Sequence, residues 1–419
     1  MRTAAITNKI KGINMMNQTK KLIRSNIGVK EENISIILSY IKNHPRASRI
    51  EISKNLDISP ATVTRNMGDI IHWDLLEHIG MGESSGGRKP GCYVINKKAG
   101  YALGFDISKR GIEAGLYNLM GGNEGRQSVR FTKDEDFFVQ LNGFVTKMLN
   151  NCRDKKILGL GIGMSGNIVD EVVKHSNVFE YRNVPLGDIL RTNFPSYPIV
   201  VEERVKCAAY AWKTASNAPD NTNVLYMQVG MGIGMGIIMN GGIYSGDGAN
   251  SAGEIGHMIL DENGPLCHCG SRGCLEQLSS EAAIVREAAA GIENGRTSKI
   301  CELTGGNIEK LDGNTVVLAA EQGDELCLEV LQKACKYLAV GINNLFLIFN
   351  PGKLIIENNI SESNRLISSL LYENLNRISV RMFNWPDKVI FEDDKDIVLR
   401  GGAQIIIEKM FENPKLYFA

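Results

Sequence analysis

Residues 253–280, GEIGHMILDENGPLCHCGSRGCLEQLSS, concentrate metal-ligating side chains in a short part of a 419-residue chain. Three of the nine cysteines, Cys267, Cys269 and Cys274, lie within eight residues, and His257 precedes the first of them by ten. One imidazole and three thiolates form a closed tetrahedral Zn²⁺ site that leaves no position for a reactive water. The spacing therefore predicts one structural zinc per chain. A loop of reduced cysteines without metal is the alternative.

The composition is that of an ordinary globular protein, with 43% hydrophobic and 22% charged residues. No apolar run approaches the roughly 18 residues that a membrane helix requires. The N-terminus also lacks the apolar segment of a signal peptide. These features predict a cytoplasmic protein with two or three domains, reduced thiols and no membrane partner.

The net charge of zero conceals an asymmetry along the chain. Residues 1–98 carry 16 Lys and Arg against 8 Asp and Glu, whereas the remaining residues carry 31 against 39. Basic side chains that neutralise phosphates release counterions, so a basic module indicates a polyanionic partner. A solvated basic face is the alternative that charge alone leaves open. Residues 1–30 have seven basic residues and no acidic one, and are predicted to form a basic arm or a loosely docked helix.

The periodicity of residues 31–98 favours DNA binding over that alternative. Apolar residues at helical spacing from Ile34 predict a first helix, SRIE at residues 48–51 is a capping box for a second, and Ser59 with Pro60 begins a third. LLEHI from Leu75 and CYVI from Cys92 predict two strands joined by an exposed loop. This order predicts a winged helix-turn-helix. A protein-interaction role remains open for any three-helix module.

The third helix and the wing supply the candidate DNA contacts. The predicted buried stripe of the helix consists of Val63, Met67, Ile70 and Ile71. Polar side chains on the opposite face, which includes Asp69, can reach base edges or phosphates, and basic side chains at a wing tip suit a narrow minor groove. The predicted DNA-contacting residues are Ser59, Thr62, Arg65, Asn66, Arg88 and Lys89.

From Tyr101 onward, strands and helices alternate. YALGFDIS and GIEAGLYNLMG predict a hairpin, and ILGLGIGMSG predicts a buried strand. NVLYMQVGMGIGMGIIMNGGIYSG predicts a further strand pair around a glycine-rich turn. Such an alternation predicts an α/β body with two lobes.

From about Asn33 onward the chain resembles the ROK family of repressors, open reading frames and sugar kinases. The family signature, Glu-x-x-His followed by Cys-x-Cys-Gly-x-x-Gly-Cys-x-Glu, is matched by Glu254, His257, Cys267, Cys269, Gly270, Gly273, Cys274 and Glu276. The resemblance implies an actin-like ATPase fold behind the winged helix. The predicted segments are the arm over 1–30, the winged helix-turn-helix over 31–98, a first lobe over 99–215 completed by 395–419, and a second lobe with the zinc site over 216–394.

The resemblance also implies a sugar site. Glu254, His257 and Glu276 would contact ring hydroxyls, with one nitrogen of His257 on the sugar and the other on zinc. Carboxylates accept hydrogen bonds, and buried ones need partners, which the hydroxyls would provide. Asn177 matches, more loosely, an asparagine near the family's sugar pocket. A surface ion pair is the alternative role for either glutamate, and His268, between two zinc ligands, is interpreted as a bystander.

ROK kinases carry an Asn-Asp pair whose aspartate is the general base. Glu203 and Arg204 stand at those positions, and arginine cannot serve as a base. The three phosphate-binding regions also depart from the family pattern, reading DISKR at residues 106–110, GMGIG at residues 230–234 and LIIENNI at residues 354–360. The sequence therefore predicts a body that does not phosphorylate its sugar, and no ATP is expected.

Together these features predict a DNA-binding transcriptional regulator, a repressor of carbohydrate catabolism genes. Its partners would be double-stranded operator DNA, a sugar or sugar-phosphate effector bound between the lobes, and further copies of the chain in a dimer or tetramer. The competing class is an active sugar kinase with an accessory DNA-binding domain. Two roles are open for Arg204: binding an anionic sugar, or an internal ion pair with Glu202 or Glu203.

Overall fold

The computed structural model describes residues 26–81, 91–109, 111–132, 135–176, 179–216, 222–247, 252–361, 364–378 and 383–418. Residues 1–25 of the predicted arm lie outside the described residues, as do the predicted wing-tip residues Arg88 and Lys89 and the predicted sugar contact Asn177. Residues 26–30 are helical and continue into the first helix.

The N-terminal domain has the predicted order of elements. These are α1 (Asn26–Asn43), β1 (Ala47–Ser48), α2 (Arg49–Leu56), α3 (Pro60–His72), β2 (Leu76–Met81) and β3 (Gly91–Ile95). The capping box is present, since Ser48 Oγ accepts from Glu51 N at 3.3 Å and Glu51 Oε2 accepts from Ser48 N at 2.7 Å. The three strands form an antiparallel sheet in the order β1-β3-β2, of which β1 was not expected from the sequence.

The buried face of α3 differs from the prediction by one position. Val63, Met67 and Ile70 are buried as expected, but Ile71 is 37% exposed and Asn66 is fully buried. A helix turns about 100° per residue, so positions i, i+3, i+4 and i+7 share one face, and Asn66 is the i+3 member. Helical geometry thus places Asn66 among the apolar residues and Ile71 at the rim.

The elements of the first lobe are β4 (Tyr101–Ser108), β5 (Gly111–Asn118), β6 (Asn123–Val129), α4 (Phe137–Asn151), β7 (Ile157–Met164), β8 (Asn167–Val169), β9 (Val172–Ser176), β10 (Tyr181–Val184), α5 (Leu186–Asn193), β11 (Ile199–Glu203) and α6 (Arg204–Ala215). Five of the strands form a sheet in the order β11-β7-β4-β5-β6. Strands β11, β7 and β4 are parallel, so their carboxyl ends meet at one edge. The other three strands form a small antiparallel sheet in the order β10-β9-β8.

The elements of the second lobe are β12 (Val224–Val229), β13 (Ile233–Met239), β14 (Gly242–Ile243), a 3₁₀ turn (Ile255–His257), α7 (Leu275–Ser279), α8 (Glu281–Glu293), α9 (Ile300–Leu303), a second 3₁₀ turn (Ile308–Lys310), α10 (Gly313–Glu321), α11 (Glu325–Phe349), β15 (Lys353–Asn358), α12 (Arg365–Ile378), α13 (Trp385–Lys388) and β16 (Val389–Glu392). The strands form one five-stranded sheet in the order β14-β13-β12-β15-β16, which is covered by helices. Strands β12 and β13 form the hairpin expected around the glycine-rich turn.

The chain then returns to the first lobe through α14 (Ile397–Glu412) and ends in α15 (Lys415–Phe418). Helix α14 packs so closely on β7 and α6 that side chains would not fit: a Cβ on Gly401 would lie 1.9 Å from Cys207 O, and one on Gly161 would lie 1.9 Å from Gly402 O. Within the described residues, no helix has the length and apolar character needed to cross a membrane.

Helix α14 also carries the N-terminal domain. One apolar cluster runs from α1 and α3 to the end of α14, where Phe411 is buried. Lys42 Nζ donates to Glu408 Oε2 at 2.8 Å and lies 4.7 Å from the centre of the Phe411 ring. The N-terminal domain is therefore docked on the helix that completes the first lobe.

Candidate functional site

Four side chains in the second lobe converge as the sequence predicted. His257 Nδ1 lies 3.6 Å from Cys267 Sγ, and Cys269 Sγ lies 3.6 Å from Cys274 Sγ. All four ligand atoms lie within 4.8 Å of one another. Tetrahedral coordination with Zn–S bonds of about 2.3 Å and Zn–N bonds of about 2.0 Å places ligand atoms roughly 3.5–3.8 Å apart. The donor set and its spacing fit a tetrahedral zinc.

The loop that bears these cysteines is folded back on the segment that bears His257. Leu275 N donates to Met258 O at 2.8 Å and Gly273 N to Pro265 O at 2.9 Å. Gly273 has φ +63°, and a Cβ there would lie 1.5 Å from Asp261 O, so the turn requires glycine. Backbone geometry alone thus brings the two halves of the signature together.

Glu276, at the start of α7, contacts the glycine-rich turn between β12 and β13. Its Oε2 accepts a hydrogen bond from Ile233 N at 3.1 Å, and a Cβ on Gly232 would lie 2.6 Å from the same oxygen. A side chain at position 232 would therefore collide with the Glu276 carboxylate. His268, interpreted as a bystander from the sequence, has its Nδ1 3.5 Å from Glu276 Oε1.

Glu254 reaches across to the first lobe through a residue that the sequence did not single out. Asn167 Nδ2 lies 3.2 Å from Glu254 Oε1 and 3.5 Å from Glu203 Oε1. Ile168 N also donates to Glu203 Oε1, at 3.2 Å. A polar residue directly after the glycine that ends a buried strand, as in GMSGN, is the sequence signal that could have identified Asn167.

An open cleft of about 420 Å³ lies beside this contact, between residues 168–171 and 200–202 of the first lobe and Ser245 and Gly246 of the second. Pockets that bind small molecules in proteins commonly measure roughly 300–1,000 Å³. The cleft is therefore large enough for a sugar.

Glu203 is held in an unusual electrostatic environment. Its pKa is raised to about 7: burial is the largest cause and the carboxylates of Glu202 and Glu254 add to it, whereas Lys206 and the Ile168 amide oppose it. Lys206 is fully buried, with its Nζ 3.3 Å from Glu203 Oε1 and 3.7 Å from Glu202 Oε1. The buried ammonium group of Lys206 thus lies near two carboxylates, of which Glu203 is buried and Glu202 is half-buried.

Arg204, the next residue, forms a different ion pair from those expected. Its Nε lies 2.5 Å from Asp106 Oδ1 and its Nη2 lies 2.9 Å from Asp106 Oδ2. The predicted ion pair of Arg204 with Glu202 or Glu203 is therefore wrong, and both of these carboxylates lie beside Lys206 instead. Asp106 is accessible to Arg204 because β4 and β11 are parallel strands of one sheet, so their carboxyl ends share an edge. Burial lowers the pKa of Arg204, but Asp106 more than offsets this, and the pKa is raised overall.

The third region that departs from the kinase pattern contains a carboxylate network. Glu357, near the end of β15, accepts hydrogen bonds from Tyr226 Oη at 3.0 Å, Gln228 Nε2 at 2.9 Å and Asn359 Nδ2 at 2.9 Å. In this region the side chains of Glu357 and Asn359 are thus hydrogen-bonded within the chain itself.

In the N-terminal domain, Arg65 and Ser59 are exposed and Thr62 is half-buried. Ser59 Oγ caps α3, accepting from Thr62 N at 3.2 Å, and lies 2.9 Å from Thr62 Oγ1. Asn66 is not presented to DNA. It is fully buried, and neither its Oδ1 nor its Nδ2 has a hydrogen-bond partner among the described residues. The DNA-contact prediction for Asn66 is therefore wrong.

The chain belongs to the ROK family. The model described as "ROK family" matches residues 102–408, and one described as "Winged helix-turn-helix DNA-binding" matches residues 32–69. The predicted class is confirmed: a DNA-binding domain joined to a body of the family that includes sugar kinases and repressors.

Two characterised relatives are similar over most of their length. A xylose repressor of Bacillus spizizenii is 28% identical over 93% of this chain and 98% of that protein. The N-acetylglucosamine repressor of Escherichia coli is 24% identical over 85% of this chain and 87% of that protein. Both are named as repressors, in agreement with the predicted transcriptional regulator.

Two solved structures share the fold. A ROK family transcriptional regulator, described as a homologue of the Escherichia coli MLC protein, has a TM-score of 0.78 at 23% identity and covers 92% of this chain and 97% of its own. A ROK family glucokinase from Streptomyces griseus has a TM-score of 0.62 at 23% identity and covers 73% of this chain and 99% of its own. The predicted fold, a two-lobed sugar-kinase body behind a winged helix, is confirmed.

Proposed function

We propose that this protein is a sugar-responsive repressor of carbohydrate genes, which binds a neutral sugar between its lobes and does not phosphorylate it. The observation that carries the proposal is the Arg204–Asp106 pair. By the resemblance to the family, Arg204 stands where a kinase carries its general base, and the adjacent Glu203 is linked to Glu254 of the second lobe through Asn167. The repressor names of the relatives support the same conclusion.

A kinase would need a base to accept the proton of the attacking hydroxyl. The guanidinium of Arg204 cannot accept it, and its bidentate contact uses both oxygens of Asp106. Glu203 is the nearest carboxyl by sequence, but its Oε1 is hydrogen-bonded to Asn167 and Ile168 N. This arrangement favours a binding site over a kinase.

The same contacts favour a neutral sugar over a sugar phosphate. An anionic group would need a cation, and the two basic side chains that follow β11 are engaged: Arg204 with Asp106, and Lys206 with Glu202 and Glu203. A ligand that displaced Asp106 from this bidentate pair would lose much of the free energy that it gained by contacting Arg204. The Arg204–Asp106 pair therefore argues against the anionic-sugar role that the sequence left open for Arg204.

His257, Cys267, Cys269 and Cys274 would hold a structural zinc. Such a zinc supplies a cross-link between two segments and no reactive group, because all four positions are taken by protein atoms. The glutamates on either side of the cross-link, Glu254 and Glu276, would accept hydrogen bonds from ring hydroxyls, and the free ring nitrogen of His257 would contact the sugar.

Sugar binding would reach DNA through α14. This helix packs on α6, which begins at Arg204, and its far end carries α1 of the DNA-binding domain. A sugar that binds one arrangement of the lobes more tightly than the other would shift the position of that domain. In a dimer or tetramer, this would change the spacing of two winged helices and hence their fit to a palindromic operator.

The sugar-sensing role can be tested by thermal unfolding with D-xylose, D-glucose, N-acetyl-D-glucosamine and glucose 6-phosphate. We expect at least one neutral sugar to raise the melting temperature, because a ligand that binds only the folded state stabilises it, and glucose 6-phosphate to have a smaller effect. A coupled assay with ATP should detect no phosphorylation. If none of the neutral sugars shifts the transition, or if ATP is consumed with any of them, the proposal fails.

DNA binding is tested with the exposed Arg65. By fluorescence anisotropy on double-stranded DNA, Arg65→Ala should reduce the slope of log affinity against log salt by about one, as expected when one phosphate contact is lost. Arg153→Ala, which removes an exposed arginine of the first lobe, is the matched control and should leave the slope unchanged. Equal slopes in both variants and the native protein would argue against the assignment of α3 as the DNA-contacting helix.

A further inference from the structure

Asn167 is held in place by the backbone around it. It begins β8 directly after Gly166, which has φ +134°, and a Cβ on Gly166 would lie 2.6 Å from His175 O. Only glycine tolerates this conformation and this contact. The turn therefore fixes the direction in which Asn167 leaves the first lobe.

The chemistry of its neighbours fixes which end of the Asn167 amide faces them. Glu254 offers a carboxylate oxygen, and Glu203 Oε1 already accepts from Ile168 N and lies 3.3 Å from Lys206 Nζ, so both atoms are acceptors and the Nδ2 amide group must face them. The two N–H groups are then both used. The acceptor Oδ1 is left for another partner, and among the described residues no hydrogen bond to it is found.

Asn167 also joins the two lobes at the cleft. Glu203 lies at the end of β11 in the first lobe and Glu254 precedes the 3₁₀ turn of the second lobe, and one amide group donates to both. Without that donor, two carboxylates would lie close together with no shared partner, and their repulsion would move Glu254 away from the first lobe.

We propose that Asn167 is a positioning residue of the sugar site: it aligns Glu203 and Glu254 and presents its own Oδ1, so that the site selects ligands by their hydroxyl donors. The inference rests on the proposed function. The groups left for a ligand at this junction are the acceptors Asn167 Oδ1 and the Glu254 carboxylate, and the matching ligand is an unphosphorylated, non-acidic sugar with free adjacent hydroxyls.

The test is calorimetry with whichever of D-xylose, D-glucose and N-acetyl-D-glucosamine stabilises the native protein most. Asn167→Ala should weaken binding about tenfold or more, because hydrogen bonds to charged groups are among the stronger ones. Asn167→Asp keeps the shape but replaces the donor by a third carboxylate, and should weaken binding at least as much. A side chain that only fills space would tolerate the aspartate.

A matched control is Asn123→Ala. Asn123 also points its Nδ2 at a carboxylate oxygen, that of Asp396 at 3.4 Å, in the same lobe. Its loss should leave the sugar affinity within about twofold of the native value, which is less than a tenfold step of 1.4 kcal/mol.

A double-mutant cycle identifies the partner through which Asn167 acts. If it acts by aligning Glu254, the loss in the double variant Asn167→Ala with Glu254→Gln should be clearly smaller than the product of the two single losses. Fully multiplicative losses, unchanged affinity in Asn167→Ala, or native affinity in Asn167→Asp would each overturn the inference while leaving a sugar sensor in place. If no neutral sugar binds the native protein, the proposed function fails and the inference fails with it.

Discussion

Glu203 and Arg204 are consecutive residues, but they belong to different ends of the proposed sugar site. Glu203 is the last residue of β11 and shares Asn167 with Glu254; we call this group the sugar end. Arg204 is the first residue of α6 and is paired with Asp106; we call this pair the phosphate end, after the role that the family resemblance gives to the region. At the sugar end, Asn167 Oδ1 has no hydrogen-bond partner among the described residues, whereas at the phosphate end the charged groups pair with each other. The proposed function thus assigns recognition and the lack of catalysis to neighbouring residues of one strand–helix junction.

The largest effect is expected when a predicted metal ligand is replaced, and this effect should be confined to the sugar end. Cys274→Ser should lose about one zinc per chain and abolish the thermal shift produced by the neutral sugar, since removing a ligand costs most of a structural site's affinity. Metal analysis and thermal unfolding measure both. Cys301→Ser, which changes an exposed cysteine outside the cluster in the same lobe, should alter neither. Native protein that contains no zinc would contradict the prediction.

The next effect concerns the phosphate end. Asp106→Asn leaves the largely buried Arg204 without its carboxylate and should lower the free energy of unfolding by about 3 kcal/mol, the usual result of breaking a buried pair. Urea unfolding measures the change. The double variant Asp106→Asn with Arg204→Met should recover part of the loss, because the uncompensated charge is gone. Sugar affinity should stay close to native; a large loss would mean that the two ends of the proposed site are not independent.

A smaller expected effect, the pH dependence of stability, distinguishes the two ends of the proposed site. The pKa of Glu203 in the folded protein, about 7, exceeds its ordinary value of 4.5, so the folded state binds this proton more tightly than the unfolded state. Its contribution to stability is therefore complete below about pH 4.5 and is lost as the pH rises through about 7, on the order of 1–3 kcal/mol. In Glu203→Gln, the urea midpoint should change less with pH over this range. A residual slope should remain from Glu202, whose pKa is also raised by burial. An unchanged slope would contradict the assignment.

Local patterns in the sequence predicted local structure well. The capping box at Ser48 and the hairpin around the glycine-rich turn depend on residues a few positions apart, and both are present. The four predicted metal ligands also converge, as expected from their residue types and spacing. At this range, hydrogen-bonding capacity and periodicity are sufficient to predict the arrangement.

Contacts between distant segments were less predictable. Arg204 was paired by sequence proximity with Glu202 or Glu203, but the parallel sheet brings it to Asp106, 98 positions away. Asn167 was not identified, because its role depends on Glu254 from the other lobe, 87 positions away. The misassignment of Asn66 has another origin: a polar residue on the buried face of α3 violates the rule that apolar residues define that face, so the pattern placed it outside.

The docking of α1 on α14 has a consequence for the order in which the protein is made. Lys42 is translated 366 residues before Glu408, to which it donates a hydrogen bond. While those residues are made, the apolar residues that α1 shares with α14 have no partner helix. The winged helix can therefore attach to the body only after α14 has been translated.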